Sequence, residues 1–93
     1  MNSAAPNNRP RLAKRVRLQI DPASGEPVLL HQEAVIVLND SGYEILSLCD
    51  GMHTLSEIIQ GLESIYPTAK PILAQEVLHY IEAISQKGLV EWI

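Results

Sequence analysis

The amino-acid sequence predicts an α+β domain in which a three-stranded antiparallel sheet is followed by three helices, a winged helix-turn-helix-like arrangement. In the first half of the chain, apolar and polar residues alternate, which is typical of half-buried strands. In the second half, apolar residues recur every three or four positions, and residues that favour helix starts precede these runs. Because the strands come first and the helices follow, the two kinds of element should be segregated.

One domain accounts for the length of the chain. Ninety-three residues bury only about 60–65% of the surface that the unfolded chain exposes, so the core is small. Phe is absent, and there are only one Trp and three Tyr. The core must therefore consist of Leu, Ile, Val and Ala. We expect residues 1–10 to form a disordered or loosely attached tail and residues 11–93 to form the single domain.

Three strands are predicted in the first half of the chain. Residues 16–20 alternate apolar and polar side chains, which indicates a half-buried strand. The turn-rich residues 21–27 separate them from a second strand at residues 28–30, so the two should pair as a hairpin. Residues 34–38 are uncharged and mostly β-branched, which predicts a third strand.

Three helices follow, and their ends are marked by capping residues. The first covers residues 43–49, with Asn39, Asp40 and Ser41 as candidate N-caps and with Ser41 and Glu44 at the spacing of a capping box. Such residues satisfy backbone N–H groups that the first turn of a helix leaves unpaired.

The second and third helices show equally clear boundaries. Thr54 and Glu57 form another capping box, and the helix that they open ends at Pro67. The third helix covers residues 71–87, because proline favours a first turn and a glycine follows the last one. Residues 89–93 are extended and form a short final strand.

Charge is divided unevenly along the chain. Residues 1–20 carry five Lys or Arg and no acid, whereas residues 21–93 carry two lysines and all eleven acids. An acidic body repels phosphate, so the composition argues against a nucleic-acid-binding protein, including a DNA-binding winged helix. The basic segment is either a solvated tail that leads into a strand, or a contact for nucleic acid, an acidic partner or a second copy.

Nothing in the sequence requires export or membrane insertion. Cys49 is the only cysteine, so there is no internal disulfide that needs an oxidising compartment. The first 20 residues lack the apolar run of a signal peptide, and no stretch approaches the ~20 apolar residues that span a membrane. We expect a cytoplasmic protein without a membrane partner.

The residue types that perform catalysis or bind metals are scattered. His31, His53 and His79 fall in three separate elements, none with a second His or Cys at ligand spacing. Cys49 lies on an apolar face near a helix C-terminus, where a thiolate is disfavoured. We therefore expect no catalytic residue, no metal site and no cofactor, and hence a binding protein rather than an enzyme.

Two predicted surfaces could hold a guest. The third strand has no Lys, Pro or bulge signal to protect it, so at a sheet edge it would be an open template for another strand. The third helix has an apolar arc of roughly 160°, wider than the ~100° that a core-facing helix needs. The candidate residues on the strand are Ala34, Val35, Ile36, Val37 and Leu38, and those on the helix are Leu73, Val77, Tyr80, Ile81 and Ile84.

Each surface also has an alternative explanation. The domain itself could use the whole apolar arc of the helix. The strand could be covered by the basic N-terminal segment or by a second copy of the chain, as in a homodimer formed by strand exchange. If it is free, a guest peptide would gain backbone hydrogen bonds at the strand and specificity from the groove beside it.

The chain resembles the PqqD family of pyrroloquinoline quinone (PQQ) biosynthesis proteins over residues 9–93. The matching segments are Arg17-Leu18-x-x-Asp21, Val28-Leu29-Leu30-x-x-Glu33, Leu38-Asn39, Glu44-Ile45-Leu46-Ser47-Leu48-Cys49-Asp50-Gly51 and Thr54-Leu55-Ser56-Glu57-Ile58-Ile59. The Ile-Leu-x-Leu-Cys-Asp-Gly run followed by Thr-x-x-Glu-Ile is the most specific part. One departure is Gln32, where the family usually has proline.

The resemblance implies a peptide chaperone. Members of the family bind the precursor peptide PqqA and present it to the radical S-adenosylmethionine (SAM) enzyme PqqE, which carries the iron–sulfur clusters. In the family, the leader of the peptide adds to the third strand and packs against the third helix. The corresponding positions here are residues 34–38 and the helix face formed by Leu73, Val77, Tyr80, Ile81 and Ile84. Recognition of a different ribosomally made modified peptide, or carriage of a quinone, is the alternative.

Overall fold

The computed structural model describes residues 5–93. The strands are β1 (Pro10–Leu12), β2 (Val16–Ile20), β3 (Pro27–His31), β4 (Ala34–Val37) and β5 (Val90–Trp92). The helices are α1 (Asp40–Ser47), α2 (Leu55–Ile65) and α3 (Lys70–Gln86), with a 3₁₀ helix at Pro67–Ala69 between the last two. The predicted combination of an antiparallel sheet and three helices is confirmed.

The strands β2, β3 and β4 form an antiparallel meander in that order. Its register aligns Leu18 with Leu29 and Leu29 with Ile36, and these three side chains contribute to the core. The register also shows which backbone groups of β4 pair with β3. Beyond the strand, the N–H of Leu38 donates to the carbonyl of Pro27 at 2.9 Å. Because bonded and non-bonded pairs alternate in an antiparallel ladder, Ile36 also pairs with β3.

A second sheet, which the sequence analysis missed, joins the two ends of the described chain. β1 pairs antiparallel with β5. The backbones of Arg9 and Ile93 extend this ladder with two hydrogen bonds of 2.8 and 2.7 Å. Two carbonyls further upstream accept from the start of α2, the carbonyl of Asn8 from the N–H of Leu55 and that of Pro6 from the N–H of Ser56.

This arrangement differs from the loose tail expected over residues 1–10. Residues 1–4 lie outside the described residues. The backbones of Pro6, Asn8, Arg9 and Pro10 pair with residues far along the chain, which a local sequence pattern does not reveal. Residues 6–12 of the basic segment consequently lie beside β5 and α2, and none of its described residues pairs with β4.

Side chains cap the N-termini of α1 and α2 as predicted, but the cap of α1 uses a different pair of residues from the predicted capping box. Asn39, one of the three candidates, is the N-cap of α1 and accepts from the N–H of Gly42 at 2.7 Å. The expected pairing of Ser41 with Glu44 is not the cap. The capping box of α2 is confirmed, since Thr54 and Glu57 exchange hydrogen bonds of 2.8 and 3.1 Å.

The core lies where the meander packs against the three helices. Leu29 of β3, Ile58 of α2 and Ile81 of α3 are completely shielded from solvent. The first helix ends at Ser47, so Cys49 lies beyond it, although its side chain is still buried in this core. Among the described residues, no helix has both the length and the apolar character that crossing a membrane requires.

Candidate functional site

The outer edge of β4 is the first part of the candidate site. In the structure of residues 5–93, β4 pairs with β3 on one side and with no strand on the other. Since Leu38 and Ile36 direct their backbone groups toward β3, the N–H and C=O groups of Val35 and Val37 point away from the sheet. A four-residue edge thus offers two donors and two acceptors to a neighbouring strand.

The side chains of this edge divide by face. Val35 and Val37 are 62% and 61% exposed, so their side chains form an apolar surface on one face of the edge. Ala34 is also exposed, whereas Ile36 is partly buried against the core. Leu38, the fifth residue of the predicted strand edge, follows the strand and is buried. It therefore supports the edge from inside and does not present its side chain to a guest.

The second part of the site is a cavity of about 340 Å³ between α1, the 3₁₀ helix and α3. Its volume lies in the range of small-molecule and side-chain binding pockets. The residues that line it are Asn39, Ser41, Ile45, Tyr66, Ala69, Ile72, Leu73, Glu76, Val77 and Tyr80. Because Asn39 follows β4 after a single intervening residue, the cavity opens where the free edge ends.

The floor of the cavity belongs to the core, and its rim is open. Ile45 and Val77 are 7% and 1% exposed and belong to the core, which holds them from the side away from the cavity. Leu73 and Tyr80 are partly buried on the wall that α3 provides. Ile72 stands at the rim and is 57% exposed. The cavity therefore offers a rigid apolar floor and an apolar rim that a guest could cover.

Tyr80 packs tightly over the start of α1. A Cβ atom placed on Gly42 would stand 2.5 Å from the Tyr80 hydroxyl oxygen and 3.0 Å from its Cζ atom, so this approach needs glycine. Burial raises the pKa of Tyr80 above its usual value of 10.0, and the nearby Cys49 adds to that increase. The phenol therefore stays neutral at physiological pH.

Carboxylates gather at the mouth of the cavity. Tyr66 donates a hydrogen bond of 2.5 Å to Oε2 of Glu44. That bond is the largest cause of the raised pKa of Tyr66, followed by burial and by the charges of Glu44 and Asp40. Glu76 lines the cavity directly, and the lining contains no Lys, Arg or His.

Ten candidate site residues were predicted from the sequence, five on the strand and five on the helix, and the structure places the five on the helix in two different environments. Leu73, Val77 and Tyr80 do line the cavity. Ile81 and Ile84 are 0% and 7% exposed and lie in the core, because the C-terminal half of α3 packs inside the domain. The wide apolar arc thus has two uses: its C-terminal half forms core, and its N-terminal half forms the cavity wall.

Other lining residues were missed by sequence reasoning. Ile72 and Glu76 precede and follow Leu73 on the same side of α3, and Ile45 lies one turn after Ser41 on the cavity side of α1. These three were within reach of a helical-wheel argument. Tyr66 was not, since it lies at the junction between α2 and the 3₁₀ helix, where no periodicity applies.

Local contacts and burial account for His53 and Cys49. His53 contacts Asp50 at 3.0 Å through its Nδ1 atom, three residues away on the same loop. Burial, reinforced by the charge of Asp50, raises the pKa of Cys49 to about 12. Within residues 5–93, no group of three or more His, Cys, Asp or Glu side chains is arranged to hold a metal ion.

Comparison with known families identifies related sequences. The model of the family described as Coenzyme PQQ synthesis protein D (PqqD) matches residues 26–90. The PqqA binding protein of Azotobacter vinelandii is 31% identical over 91 residues, covering 98% of this chain and 98% of that protein. The Bifunctional coenzyme PQQ synthesis protein C/D of Methylorubrum extorquens is 34% identical over 82 residues, covering 88% of this chain and 22% of that longer protein.

Two solved structures share the fold. One is the solution NMR structure of the PqqD truncation of Methylobacterium extorquens PqqCD, described as a functional and stand-alone RiPP recognition element. Its TM-score is 0.77 at 31% identity, over 97% of this chain and 96% of that one. The other is TbiB1 in complex with the TbiA(beta) leader peptide, with a TM-score of 0.73 at 23% identity, over 87% and 94% of the two chains.

Proposed function

Because the chain belongs to the PqqD family, we propose that it binds the precursor peptide PqqA and presents it to the radical SAM enzyme PqqE. One observation carries the proposal: the free edge of β4 ends at the mouth of the apolar cavity, so a single extended peptide can occupy both. Relatives named PqqA binding protein support the choice of guest. Such names also support a binding protein rather than an enzyme.

The free edge alone cannot supply the affinity. Val35 and Val37 offer four backbone hydrogen bonds, each worth about 0.5–1.5 kcal/mol net, hence about 2–6 kcal/mol in total. A micromolar complex needs about 8 kcal/mol, and ordering the peptide adds a further cost. Apolar side chains of the guest that enter the cavity must provide the difference. We therefore assign the register and part of the affinity to the edge, and the rest of the affinity and the side-chain selection to the cavity.

Binding to the edge can be blocked without touching the cavity. The N–H of Val37 points away from β3, so Val37→Pro removes a donor from the free edge and spares the ladder. Ile20→Pro is the matched control, because Ile20 is 48% exposed and ends the opposite edge strand β2. Calorimetric titration with PqqA should show a loss of affinity of about twofold to tenfold for Val37→Pro and no loss for Ile20→Pro. Equal affinities of the two folded variants would contradict the proposal.

Finer features belong to the same proposal. The short helices α1 and α2 before α3, with the β2–β3 hairpin beside them, support the winged helix-turn-helix-like description. The single cysteine supports a cytoplasmic location. The free edge of β4 also permits a homodimer by strand exchange, which would compete with the peptide for Val35 and Val37. If so, adding PqqA should lower the sedimenting mass, and a mass that starts as monomer would remove the dimer from the proposal.

A further inference from the structure

The residues that line the cavity include a carboxylate and no Lys, Arg or His. Glu76 lines the cavity, Glu44 is fixed beside it by the hydroxyl of Tyr66, and the charge of Asp40 also reaches that hydroxyl. Among residues 5–93, Arg11 forms an ion pair with Glu91 and the His53 ring contacts Asp50, and none of these four residues lines the cavity. Glu76 itself has no ion-pair partner among the described residues.

The combination of an apolar cavity with a carboxylate rim restricts the side chains that a guest can place there. A guest carboxylate would meet two or three like charges at the rim. A Lys or Arg side chain would lay its aliphatic stem along apolar groups such as Leu73 and Ile72, while its charged end reached the rim. Glu44 is already held by Tyr66, so Glu76 is the carboxylate that remains free to pair.

We propose that Glu76 selects a Lys or Arg side chain of the guest peptide at the mouth of the cavity, with Glu44 and Asp40 adding to the negative field. This inference rests on the proposed function, because it assumes that a peptide occupies the groove. It goes beyond that function by naming a specificity-determining residue and the charge of the peptide residue that it reads. The groove itself rests on the cavity and the strand edge, and the carboxylates determine only the charge of its occupant.

The test measures binding of a synthetic PqqA peptide by fluorescence anisotropy at low and high NaCl. Glu76→Gln keeps the shape of the exposed side chain and removes its charge. Glu82→Gln is the matched control, since Glu82 is exposed on the same helix but does not line the cavity. At low salt, Glu76→Gln should weaken binding about threefold to fivefold, as expected for an exposed ion pair. Glu82→Gln should stay within about twofold of the wild type.

A set of peptides identifies the partner of Glu76. Each Lys and Arg of PqqA is replaced in turn by Gln, and each peptide is titrated against both variants. For the peptide that lacks the partner of Glu76, Glu76→Gln should cause no further loss of affinity. High salt should lower the affinity of the wild-type protein for unmodified PqqA to the affinity measured with that peptide. The inference is overturned if the wild type binds PqqA but Glu76→Gln behaves as Glu82→Gln with every peptide. If the wild type does not bind PqqA at all, the proposed function fails first.

Discussion

The phenol of Tyr80 lies against the backbone of Gly42, so closely that a Cβ atom on Gly42 would stand 2.5 Å from the hydroxyl oxygen. This contact joins the wall of the cavity on α3 to the first turn of α1. Asn39 closes the same corner, because its side chain caps that turn at the N–H of Gly42. The contact therefore fixes the cavity wall beside the point where the free edge of β4 ends.

Gly42→Ala should destabilise the protein. The added methyl group overlaps the phenol of Tyr80, and such overpacking costs about 1–3 kcal/mol. Gly61→Ala is the control, because the nearest atom to a Cβ at that exposed helical position is 3.9 Å away. That change should instead stabilise α2 by about 0.5–1 kcal/mol. Urea unfolding of both variants measures the difference, and similar stabilities would show that Tyr80 moves aside freely.

Ile72→Gln should weaken binding of PqqA by about tenfold, since it removes an apolar rim residue without changing the charge beside Glu76. Ile65→Gln is a close match, because Ile65 is 55% exposed against 57% for Ile72 but does not line the cavity. Its affinity should stay within about twofold of the wild type. Circular dichroism confirms that both variants fold. Equal losses in the two would remove the rim of the cavity from the site.

The thiol of Cys49 should be inert in the folded protein and reactive after unfolding. Burial is the main cause of its raised pKa of about 12, so the thiolate is absent at pH 8. Reaction with a disulfide reagent such as DTNB, followed at pH 8 with and without urea, measures this directly. Rapid labelling of the native protein would contradict the burial of the side chain.

The same pKa gives stability a pH dependence at the alkaline end. The folded value of about 12 exceeds the ordinary value of 9.0, so the unfolded chain loses this proton first as pH rises. The contribution of Cys49 is fully present below pH 9 and is lost progressively between pH 9 and pH 12. Unfolding free energies should therefore fall less steeply over this range in Cys49→Ala than in the wild type. Equal slopes would show that Cys49 does not contribute.

Deletion of residues 1–9 should destabilise the domain, although none of the described residues 5–9 contributes a side chain to the core. The deletion removes four backbone hydrogen bonds, to Ile93 and to the first turn of α2, worth about 2–6 kcal/mol together. Arg9→Ala is the control, because it keeps the backbone of that segment and removes only an exposed charge. Thermal unfolding should show a large change for the deletion and a small one for Arg9→Ala. A large effect of Arg9→Ala would mean that charge, not pairing, holds the segment.

The parts of this fold that depend on residues close together in the sequence could be predicted from the sequence. The strand Val16–Ile20 and the capping box of Thr54 and Glu57 are local patterns, and the structure confirms both. The pairing of β1 with β5 could not be predicted. Pro10 faces Trp92 across nearly the whole chain, and three-residue strands show no clear alternation.

The candidate site shows the same division between local and long-range information. The sequence of β4 shows an unprotected strand, but only the register reveals that Val35 and Val37 direct their backbone groups outward. The apolar arc of α3 was visible as a pattern, whereas its division between core and cavity depends on how α1 and the 3₁₀ helix pack beside it. Tyr66 lines the cavity only because of this packing.

Amide hydrogen exchange on addition of PqqA tests the central claim most directly. In the free protein, the amides of Ile36 and Leu38 are bonded to β3 and should exchange slowly, whereas those of Val35 and Val37 point to solvent. We expect PqqA to slow exchange at Val35 and Val37 and to leave the opposite edge at Ile20 unchanged. If bound PqqA leaves exchange at Val35 and Val37 as fast as before, the peptide does not add to β4.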